Sequence, residues 1–174
     1  GDPIPGIELR FVALDGVDVA PGEVGELWVR GPNVMLGYYR NEAQTRATVT
    51  EDGWLRTGDL ARQAPDGALY IVGRSKELII RSGFNVYPAE VENVLNSHPA
   101  VLQSAVIGRA VAGNEEVIAF VELLPSVHAL PDDIGQWCAD RLAPYKRPAE
   151  IRVLAALPAA STGKLLKHKL RDEL

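Results

Sequence analysis

Two glycine-containing turns of the sequence carry a charged residue that could do chemistry. In residues 54–59 the glycine before Asp59 lets the backbone turn, so that the carboxylate can project outward. An Asp in a loop at the end of a strand more often caps backbone amides than it binds a ligand. Lys164 also follows a glycine, but a phosphate-binding loop is excluded because Pro158 replaces its first glycine and Leu165 its final Ser or Thr. Each turn by itself is therefore compatible with a purely structural role.

Basic residues elsewhere are weaker indications of anion binding. A surface ion pair is an equally simple explanation for Arg74. Lys146 and Arg147 form a local basic site, although such a pair before a proline is usually only solvated. The net charge of −5 provides no overall field that would attract nucleic acid, so nucleic acid is not an expected partner.

The composition is that of a globular protein. With 174 residues, 47% of them hydrophobic, the chain can form one ordinary domain or two small ones. A single cysteine, Cys138, and three scattered histidines predict neither a disulfide nor a metal site, which fits a cytoplasmic protein. No apolar stretch approaches the roughly 20 residues that span a bilayer, and the first residues lack the features of a signal peptide. The sequence leaves open whether the protein also lies peripherally on a membrane.

Short strands dominate the first part of the chain. Segments rich in β-branched and aromatic residues, separated by glycine-containing turns, predict strands at residues 7–14, 26–30 and 68–72. Asn41 can cap a short helix that ends at residue 48, with a glutamine three residues later as in a capping box.

The second part alternates between helical and strand-like patterns. Prolines at the first helical position and apolar residues at helical spacing predict three helices. These helices cover residues 88–96, a segment beginning at 131, and residues 165–171, and strands are expected at 77–80, 101–107, 117–124 and 151–154. The nearly continuous apolar run at 117–124 indicates a strand that is buried on both faces. This part is therefore predicted to be α+β, a small sheet covered by helices.

Seven motifs resemble, in the same order, those of the acyl-adenylate-forming family, which includes acyl-CoA synthetases, luciferases and the adenylation domains of peptide synthetases. They are GELWVRGP at residues 25–32, GYY at 37–39, DGWLRTGD at 52–59, GRSKE at 73–77, GFNVYPAEVE at 83–92, YKRP at 145–148 and TGK at 162–164. The resemblance runs almost from end to end. It implies an α+β protein in which residues 1–75 are the β-rich, barrel-like end of a large N-terminal AMP-binding domain. Residues 76–174 would form a small, mobile C-terminal lid with a hinge near residues 74–76.

The resemblance implies roles at the nucleotide. Asp59 should accept hydrogen bonds from both hydroxyls of the ATP or AMP ribose, because an ionised carboxylate is acceptor-only. Arg74 should assist at the same nucleotide with its planar, fixed charge. Lys76 should be the hinge about which the lid rotates between two half-reactions. Lys164 should be the catalytic lysine of adenylation, where its ammonium offsets the repulsion between a carboxylate and the α-phosphate.

A second implied site binds coenzyme A. Ser82, Gly83 and Phe84 should line the tunnel for the pantetheine arm, the alternative being a plain turn between a strand and the helix from residue 88. Lys146 and Arg147 should meet the coenzyme A phosphates at the surface. The family's phosphate loop, its adenine-binding segment and the carboxylate that holds Mg²⁺ have no counterpart here and are expected upstream, as is nearly all of the acyl pocket.

The implied protein is an AMP-forming acyl-CoA synthetase that uses ATP, Mg²⁺ and coenzyme A. A small carboxylic acid and ATP would give an acyl-adenylate and pyrophosphate, and coenzyme A would then displace AMP. Residues 82–88 resemble most closely those of bacterial fatty acyl-CoA synthetases, with coumarate- or benzoate-type aryl-CoA ligases as the nearest alternative. We expect the chain to be inactive alone. Whether the protein forms homo-oligomers through an upstream region is left open.

Two alternatives come from other classes. An adenylation domain that loads a carrier protein would be followed by a carrier-like serine segment after Leu174, whereas the chain ends where free-standing ligases end. A non-catalytic binding module would be favoured by loss of Lys164 or Asp59, and both are present. These features favour the ligase.

Overall fold

A computed structural model describes residues 1–125 and 127–174 of the chain. The chain forms two compact units, Gly1–Lys76 and Glu77–Leu174. Both units are rich in strands and carry few helices, which confirms the predicted α+β class.

The first unit is built on a four-stranded antiparallel sheet whose strands lie side by side in chain order. Its elements are β1 (Glu8–Val12), β2 (Gly25–Arg30), α1 (Glu42–Thr48), β3 (Leu55–Gln63) and β4 (Leu69–Arg74). Gly1 and Leu69 exchange two backbone hydrogen bonds of 3.0 and 2.8 Å, so the segment before β1 reaches β4 at the opposite edge of the sheet.

Helix α1 begins where the sequence predicts it. The Asn41 Oδ1 atom accepts the backbone N–H of Gln44 at 3.0 Å, which satisfies one of the unpaired donors of the first turn. The second contact differs from a capping box, because the Asn41 side-chain amide donates to the Gln44 side chain at 3.1 Å. The backbone N–H of Asn41 donates instead to Tyr38.

The second unit combines a two-stranded hairpin, a three-stranded sheet and three helices. Its elements are β5 (Ile79–Arg81), β6 (Phe84–Val86), α2 (Pro88–Asn96), β7 (Val101–Val111), β8 (Asn114–Leu123), α3 (Pro131–Ala139), β9 (Glu150–Leu154) and α4 (Lys167–Arg171). Strand β8 is central, since it pairs antiparallel with β7 and parallel with β9.

Strand β8 has an apolar core on each face, as its apolar run predicts. On one face Val117, Ala119 and Val121 pack with α2 and α3, and on the other Ile118 and Phe120 pack with Leu157 and Leu170. All five of these β8 side chains are fully buried. Burial of an aliphatic or aromatic side chain of this size contributes about 1.5–3 kcal/mol, so β8 is a main source of the unit's stability.

Three sequence expectations were wrong in detail. Glu77 lies in the 3-10 helix Ser75–Glu77, and the expected strand begins only at Ile79. The last helix begins at Lys167, two residues later than expected. Asp59 lies within strand β3 and not in a loop that ends it.

Strands β7 and β8 extend further than their apolar runs. The polar residues between these runs pair across a tight turn at Gly113, whose φ is +69°. Arg109 and Glu116 are direct cross-strand partners and form an ion pair of 2.8 Å. Such pairs stabilise a ladder without apolar side chains, which explains why hydrophobicity alone ended both strands too early.

None of the helices in the described part of the chain is long and apolar enough to cross a lipid bilayer.

Candidate functional site

Asp59 and Arg74 lie opposite each other on neighbouring strands. The antiparallel register of β3 and β4 pairs them directly, and Arg74 Nε lies 2.8 Å from Asp59 Oδ1. The Asp59 side chain is 27% exposed and that of Arg74 is 53% exposed. The structure therefore brings together two residues that belong to separate sequence motifs.

An irregularity of the sheet lies directly beside Asp59. The register of β2 against β3 shifts after Glu26, and Gly58 has a φ of +72°. A residue with a Cβ would lose about 1–2 kcal/mol in this left-handed conformation. Glu26 accepts the Gly58 N–H at 3.0 Å, while the Thr57 hydroxyl donates to Leu27 and accepts the Asp59 N–H at 3.0 Å. These bonds fix the backbone that carries the carboxylate.

Glu26 and Thr57 are supporting residues that the sequence analysis missed. Both side chains are bonded to backbone groups next to Asp59, so they act on its position. For Thr57 a signal was available, because a threonine hydroxyl often bonds the N–H two residues later. Nothing in the spacing of Glu26 indicates its bond to Gly58, which spans 32 positions of the chain.

The Asp59–Arg74 pair can exchange partners at low cost. An ion pair this accessible contributes about 0–1 kcal/mol to stability, because water screens it. The contact uses one carboxylate oxygen, and an ionised carboxylate has acceptor capacity for several donors. The geometry is compatible with a pair of ligand hydroxyls, and the ribose role stays a prediction.

Lys76 is an exposed residue in the 3-10 helix Ser75–Glu77, directly after β4. A single 3-10 turn has poorer hydrogen-bond geometry than an α-helix, so a change of its dihedral angles costs little. This local structure suits a hinge, and the hinge role also stays a prediction.

Ser82 and Gly83 form the two-residue turn between β5 and β6. Their φ angles are +52° and +79°, the pattern of a type I′ hairpin turn. The unusual backbone of Ser82 is held by Asn114, whose Oδ1 accepts the Ser82 N–H at 2.7 Å. The segment is thus a tight hairpin with an exposed tip, and not a plain strand-to-helix turn.

Phe84 brings this hairpin to the basic segment after α3. Phe84 is 53% exposed, and its ring stacks on Tyr145 with 4.5 Å between ring centroids and 22° between planes. Arg81 also donates to the backbone carbonyl of Arg147 at 2.6 Å. The two groups of residues assigned to coenzyme A are therefore neighbours.

The charges of Lys146 and Arg147 already have partners within the second unit. The Lys146 ammonium lies 2.6 and 2.8 Å from the two oxygens of Glu90. Burial alone lowers the pKa of Lys146, but the hydrogen bond and charge of Glu90 outweigh it and raise the pKa. Arg147 donates to the carbonyls of Leu142 and Ala139 at 3.0 and 2.8 Å, where it caps the end of α3. Their contact with coenzyme A phosphates stays a prediction.

Lys164 lies on an exposed turn between β9 and α4. The turn is closed by hydrogen bonds of 2.9 Å from Ala160 N–H to Lys164 and from Gly163 N–H to Ala160. Gly163 has a φ of +82°, so this turn also needs the freedom of glycine. The lysine side chain is presented to solvent, as an incoming catalytic group would require.

Lys167 is a second notable lysine that the sequence analysis missed. Its side chain is 19% exposed, and its ammonium lies 2.8 Å from a carboxylate oxygen of Glu77 and 2.8 Å from one of Glu92. Burial alone lowers the pKa of Lys167, but the charge of Glu92 and the hydrogen bond of Glu77 outweigh it and raise the pKa. No short-range pattern predicts this cluster, since its members are far apart in the chain.

Cys138 is fully buried in the second unit. Burial raises the pKa of the Cys138 thiol to about 11, so it is protonated at neutral pH and a poor nucleophile. Over residues 1–125 and 127–174, no cluster of three or more His, Cys, Asp or Glu side chains could hold a metal ion. These residues do not fit a Mg²⁺ site. An open groove of about 560 Å³ beside β1 contains none of the predicted site residues.

Comparisons with known families follow the two-unit division. Residues 90–164 match the AMP-binding enzyme C-terminal domain, and residues 1–39 match the AMP-binding enzyme family. The chain belongs to the acyl-adenylate-forming family of AMP-binding enzymes.

Curated relatives match almost the whole chain. It is 43% identical to a long-chain-fatty-acid–CoA ligase of Yersinia pestis, covering 99% of this chain and 31% of the relative. It is also 43% identical to an indoleacetate–CoA ligase of Aromatoleum aromaticum, covering 99% of this chain and 34% of that relative. The chain therefore spans about a third of the length of these relatives.

Solved structures share the fold at similar coverage. ATP-bound MatB from Rhodopseudomonas palustris is 34% identical with a TM-score of 0.91, covering 99% of this chain and 35% of that one. The o-succinylbenzoate coenzyme A synthetase of Bacillus subtilis, in complex with ATP and magnesium, is 40% identical with a TM-score of 0.88. The match covers 99% of this chain and 35% of the synthetase chain.

Proposed function

We propose that this chain is the C-terminal part of an ATP-dependent acid–thiol ligase, an acyl-CoA synthetase. In the first half-reaction a carboxylate attacks the α-phosphate of ATP, which gives an acyl-adenylate and releases pyrophosphate. In the second half-reaction the coenzyme A thiol attacks the acyl carbon and AMP leaves. The names of the relatives as CoA ligases support this reaction class.

The observation that carries the proposal is the Asp59–Arg74 pair. Strand register places the two side chains 2.8 Å apart, on a backbone whose irregularity is held by three hydrogen bonds. Such support is expected for a site that must be in place before its ligand arrives. In the proposal, Asp59 accepts the two ribose hydroxyls and Arg74 turns to a nucleotide oxygen.

Lys164 is the proposed catalytic residue of adenylation. The attacking carboxylate and the triphosphate are both anions, so an ammonium placed between them lowers their repulsion and stabilises charge in the transition state. Its exposure on a glycine turn supports this role, because a buried lysine already in an ion pair would have to lose that partner first. Lys76 is the proposed hinge for rotation of the second unit between the half-reactions.

The proposed coenzyme A site is the β5–β6 hairpin and the basic segment beside it. Ser82, Gly83 and Phe84 would line the path of the pantetheine arm, and the exposed face of Phe84 offers an apolar wall. Lys146 and Arg147 would meet the phosphates. Because Glu90 and the α3 carbonyls already hold these charges, phosphate binding there must compete with internal contacts.

A fatty acid is the substrate that we propose first. This choice rests on the resemblance of residues 82–88 and on the names of several relatives as long-chain-fatty-acid–CoA ligases. An aryl acid is the second candidate, because the indoleacetate–CoA ligase is equally identical at 43%.

The chain alone is proposed to be inactive. Its described residues include no metal-binding cluster, and the predicted site residues do not line the groove beside β1. In the proposal, Mg²⁺, the ATP phosphates and most of the acyl pocket therefore belong to an upstream region.

The proposal can be tested by joining this chain to its upstream region and searching for products by mass spectrometry. The enzyme would be given ATP, Mg²⁺, coenzyme A and a panel of fatty and aromatic acids, with the isolated 174-residue chain as the control. A fatty acyl-CoA is the expected product. Acyl-adenylate without thioester would indicate a carrier-protein partner, and the absence of both would indicate a non-catalytic binding module.

A further inference from the structure

We infer that Lys167 is a positioning residue for Lys164. Its ammonium joins the segment that bears Lys164 to the residue that follows the hinge, so the exposed lysine keeps a fixed place within the second unit. The inference rests on the proposed function, since it assigns Lys167 a role in the adenylation half-reaction.

The first observation is the set of segments that meet at this ammonium. Glu77 directly follows Lys76, and Glu92 lies in the middle of α2. Each carboxylate is 2.8 Å from Lys167 Nζ. Glu92 also accepts the backbone N–H of Val106 in β7 at 2.8 Å. One side chain therefore links the start of the unit, helix α2 and the central sheet to α4.

The second observation is the set of contacts that hold the Lys164 segment. Helix α4 has five residues, far fewer than an isolated helix needs to be stable. Its fully buried residue is Leu170, three positions beyond Lys167. On the other side of Lys164, the turn is exposed and held by backbone hydrogen bonds. Leu165, directly after Lys164, packs against the core that contains Leu170. Lys167, three residues after Lys164, is the nearest ion-paired side chain that ties the segment to the body of the unit.

The third observation is the burial of the cluster. The side chains of Lys167, Glu77 and Glu92 are 19%, 27% and 17% exposed. Removal of the cation would leave two partly buried carboxylates facing the same space, where they repel each other and are poorly solvated. The segment would then lose its charged attachment, and its position would depend on the core contacts of Leu165 and Leu170.

A mispositioned turn should affect one half-reaction more than the other. A displacement of about 1 Å at a reacting group can cost on the order of 100-fold in rate. Lys164 is proposed to act in adenylation alone, so thioester formation from preformed acyl-adenylate should depend much less on this anchor.

The test uses the full-length protein that contains this chain and compares Lys167→Met with Lys169→Met. Methionine keeps the unbranched stem of the lysine side chain and removes its charged end. Lys169 is an exposed lysine on the same helix. We expect Lys167→Met to lower kcat for adenylation by about 10- to 100-fold, with the KM for ATP unchanged. Thioester formation from acyl-adenylate should persist in the same preparation, which also serves as the check of folding. Lys167→Arg should restore most of the adenylation rate.

Hydrogen exchange supplies a readout that does not depend on activity. The amides of Ala160, Gly163 and Leu166 close the Lys164 turn. They should exchange faster in Lys167→Met and keep the wild-type rate in Lys169→Met. If Lys167→Met does not fold, Glu92→Gln provides a milder change of the same cluster.

The outcomes separate this inference from the proposed function. Equal loss of both half-reactions, or unchanged exchange at the turn, would overturn the positioning role while leaving the ligase proposal intact. A wild-type enzyme that forms no acyl-adenylate would overturn the proposed function itself. Faster exchange at the turn together with a selective loss of adenylation would support the inference.

Discussion

The two units of the molecule present their charged residues in contrasting ways. In the first unit, Asp59 and Arg74 are paired by strand register and lie beside an irregularity that is held by buried or half-buried partners. In the second unit, Lys164 lies on an exposed turn, and the nearest ion-paired side chain on its segment is Lys167. A group that must bind throughout a reaction gains from rigid strands, whereas a group that enters for one step can lie on a loop.

The contrast also concerns what can change without loss of the fold. Asp59 and Lys164 both contribute little to a core, so substitutions there should alter function before stability. Gly58 has a structural constraint, because its φ of +72° is part of the geometry that presents Asp59. The predictions below separate these effects, beginning with the largest.

The largest effect is expected for Lys164→Ala in the full-length enzyme. Loss of a charge that stabilises the transition state should reduce the adenylation rate by about 100- to 1000-fold. Thioester formation from preformed acyl-adenylate should be nearly unchanged, because Lys164 is proposed to act in adenylation alone. Pyrophosphate exchange and thioester release measure the two half-reactions separately. Equal loss of rate in both half-reactions would contradict the proposal that Lys164 acts in adenylation alone.

The next effect is expected for Asp59→Ala. Loss of hydrogen bonds from ribose hydroxyls to a charged acceptor should lower kcat/KM for ATP by about 10- to 100-fold. The melting temperature should change little, since the exposed pair with Arg74 contributes about 0–1 kcal/mol. The exposed Glu51→Ala, in the same unit, is the matched control for loss of one acidic side chain. Identical saturation by ATP in both variants would contradict the ribose role.

Gly58→Ala and Gly67→Ala distinguish backbone strain next to Asp59 from backbone strain elsewhere in the first unit. Both glycines have positive φ, +72° and +90°, and neither has a heavy atom closer than 3.9 Å to the new methyl group. Each substitution should therefore cost about 1–2 kcal/mol of stability, measured by denaturant unfolding. The KM for ATP should rise only in Gly58→Ala, because only Gly58 adjoins Asp59. A similar rise in both variants would show that the irregularity does not position the carboxylate.

The smallest effect is expected at Cys138 when the Lys164 turn is altered. The thiol is fully buried, so thiol reagents should modify it only after the second unit opens. Lys164→Ala should leave the labelling rate at pH 8 unchanged, because the turn lies outside the core. Faster labelling would show that the turn is coupled to the core of the second unit. It would contradict the view that Lys164 lies on a turn that the core does not need.

The raised pKa of the Cys138 thiol predicts that the protein becomes less stable at alkaline pH. Its pKa is raised from 9.0 to about 11 in the folded protein, because burial disfavours the thiolate. The contribution to stability is therefore complete below pH 9 and is lost as the pH rises towards 11. Denaturant unfolding should show a smaller loss over this range in Cys138→Ala. An equal loss in both proteins would assign the effect to other groups.

The elements with strong local signals could be predicted from the sequence. Asn41 and Pro88 mark helix starts, and the apolar run of β8 predicts a strand buried on both faces. The length of β7 and β8 could not be predicted, because Arg109 and Glu116 stabilise it by pairing across the ladder. The location of Asp59 within β3 depends on register shifts with two neighbouring strands, which a local pattern does not contain.

The residues of the candidate site also divide into those that the sequence identifies and those that depend on distant contacts. The sequence motifs selected Asp59, Arg74 and Lys164 through a family resemblance, and local chemistry alone would have left each in a structural role. Glu26 and Lys167 were missed because their partners are distant in the chain, at Gly58 in one case and at Glu77 and Glu92 in the other. Contacts of this kind exist only once the tertiary fold has formed.

The most direct test of the central claim is to measure the nucleotide products of the full-length enzyme by phosphorus NMR. With a fatty acid, coenzyme A and Mg·ATP, the account predicts AMP and pyrophosphate in equal amounts, each matched by one thioester. Formation of ADP and phosphate, or of AMP without any thioester, would contradict the assignment of this chain to an AMP-forming acid–thiol ligase.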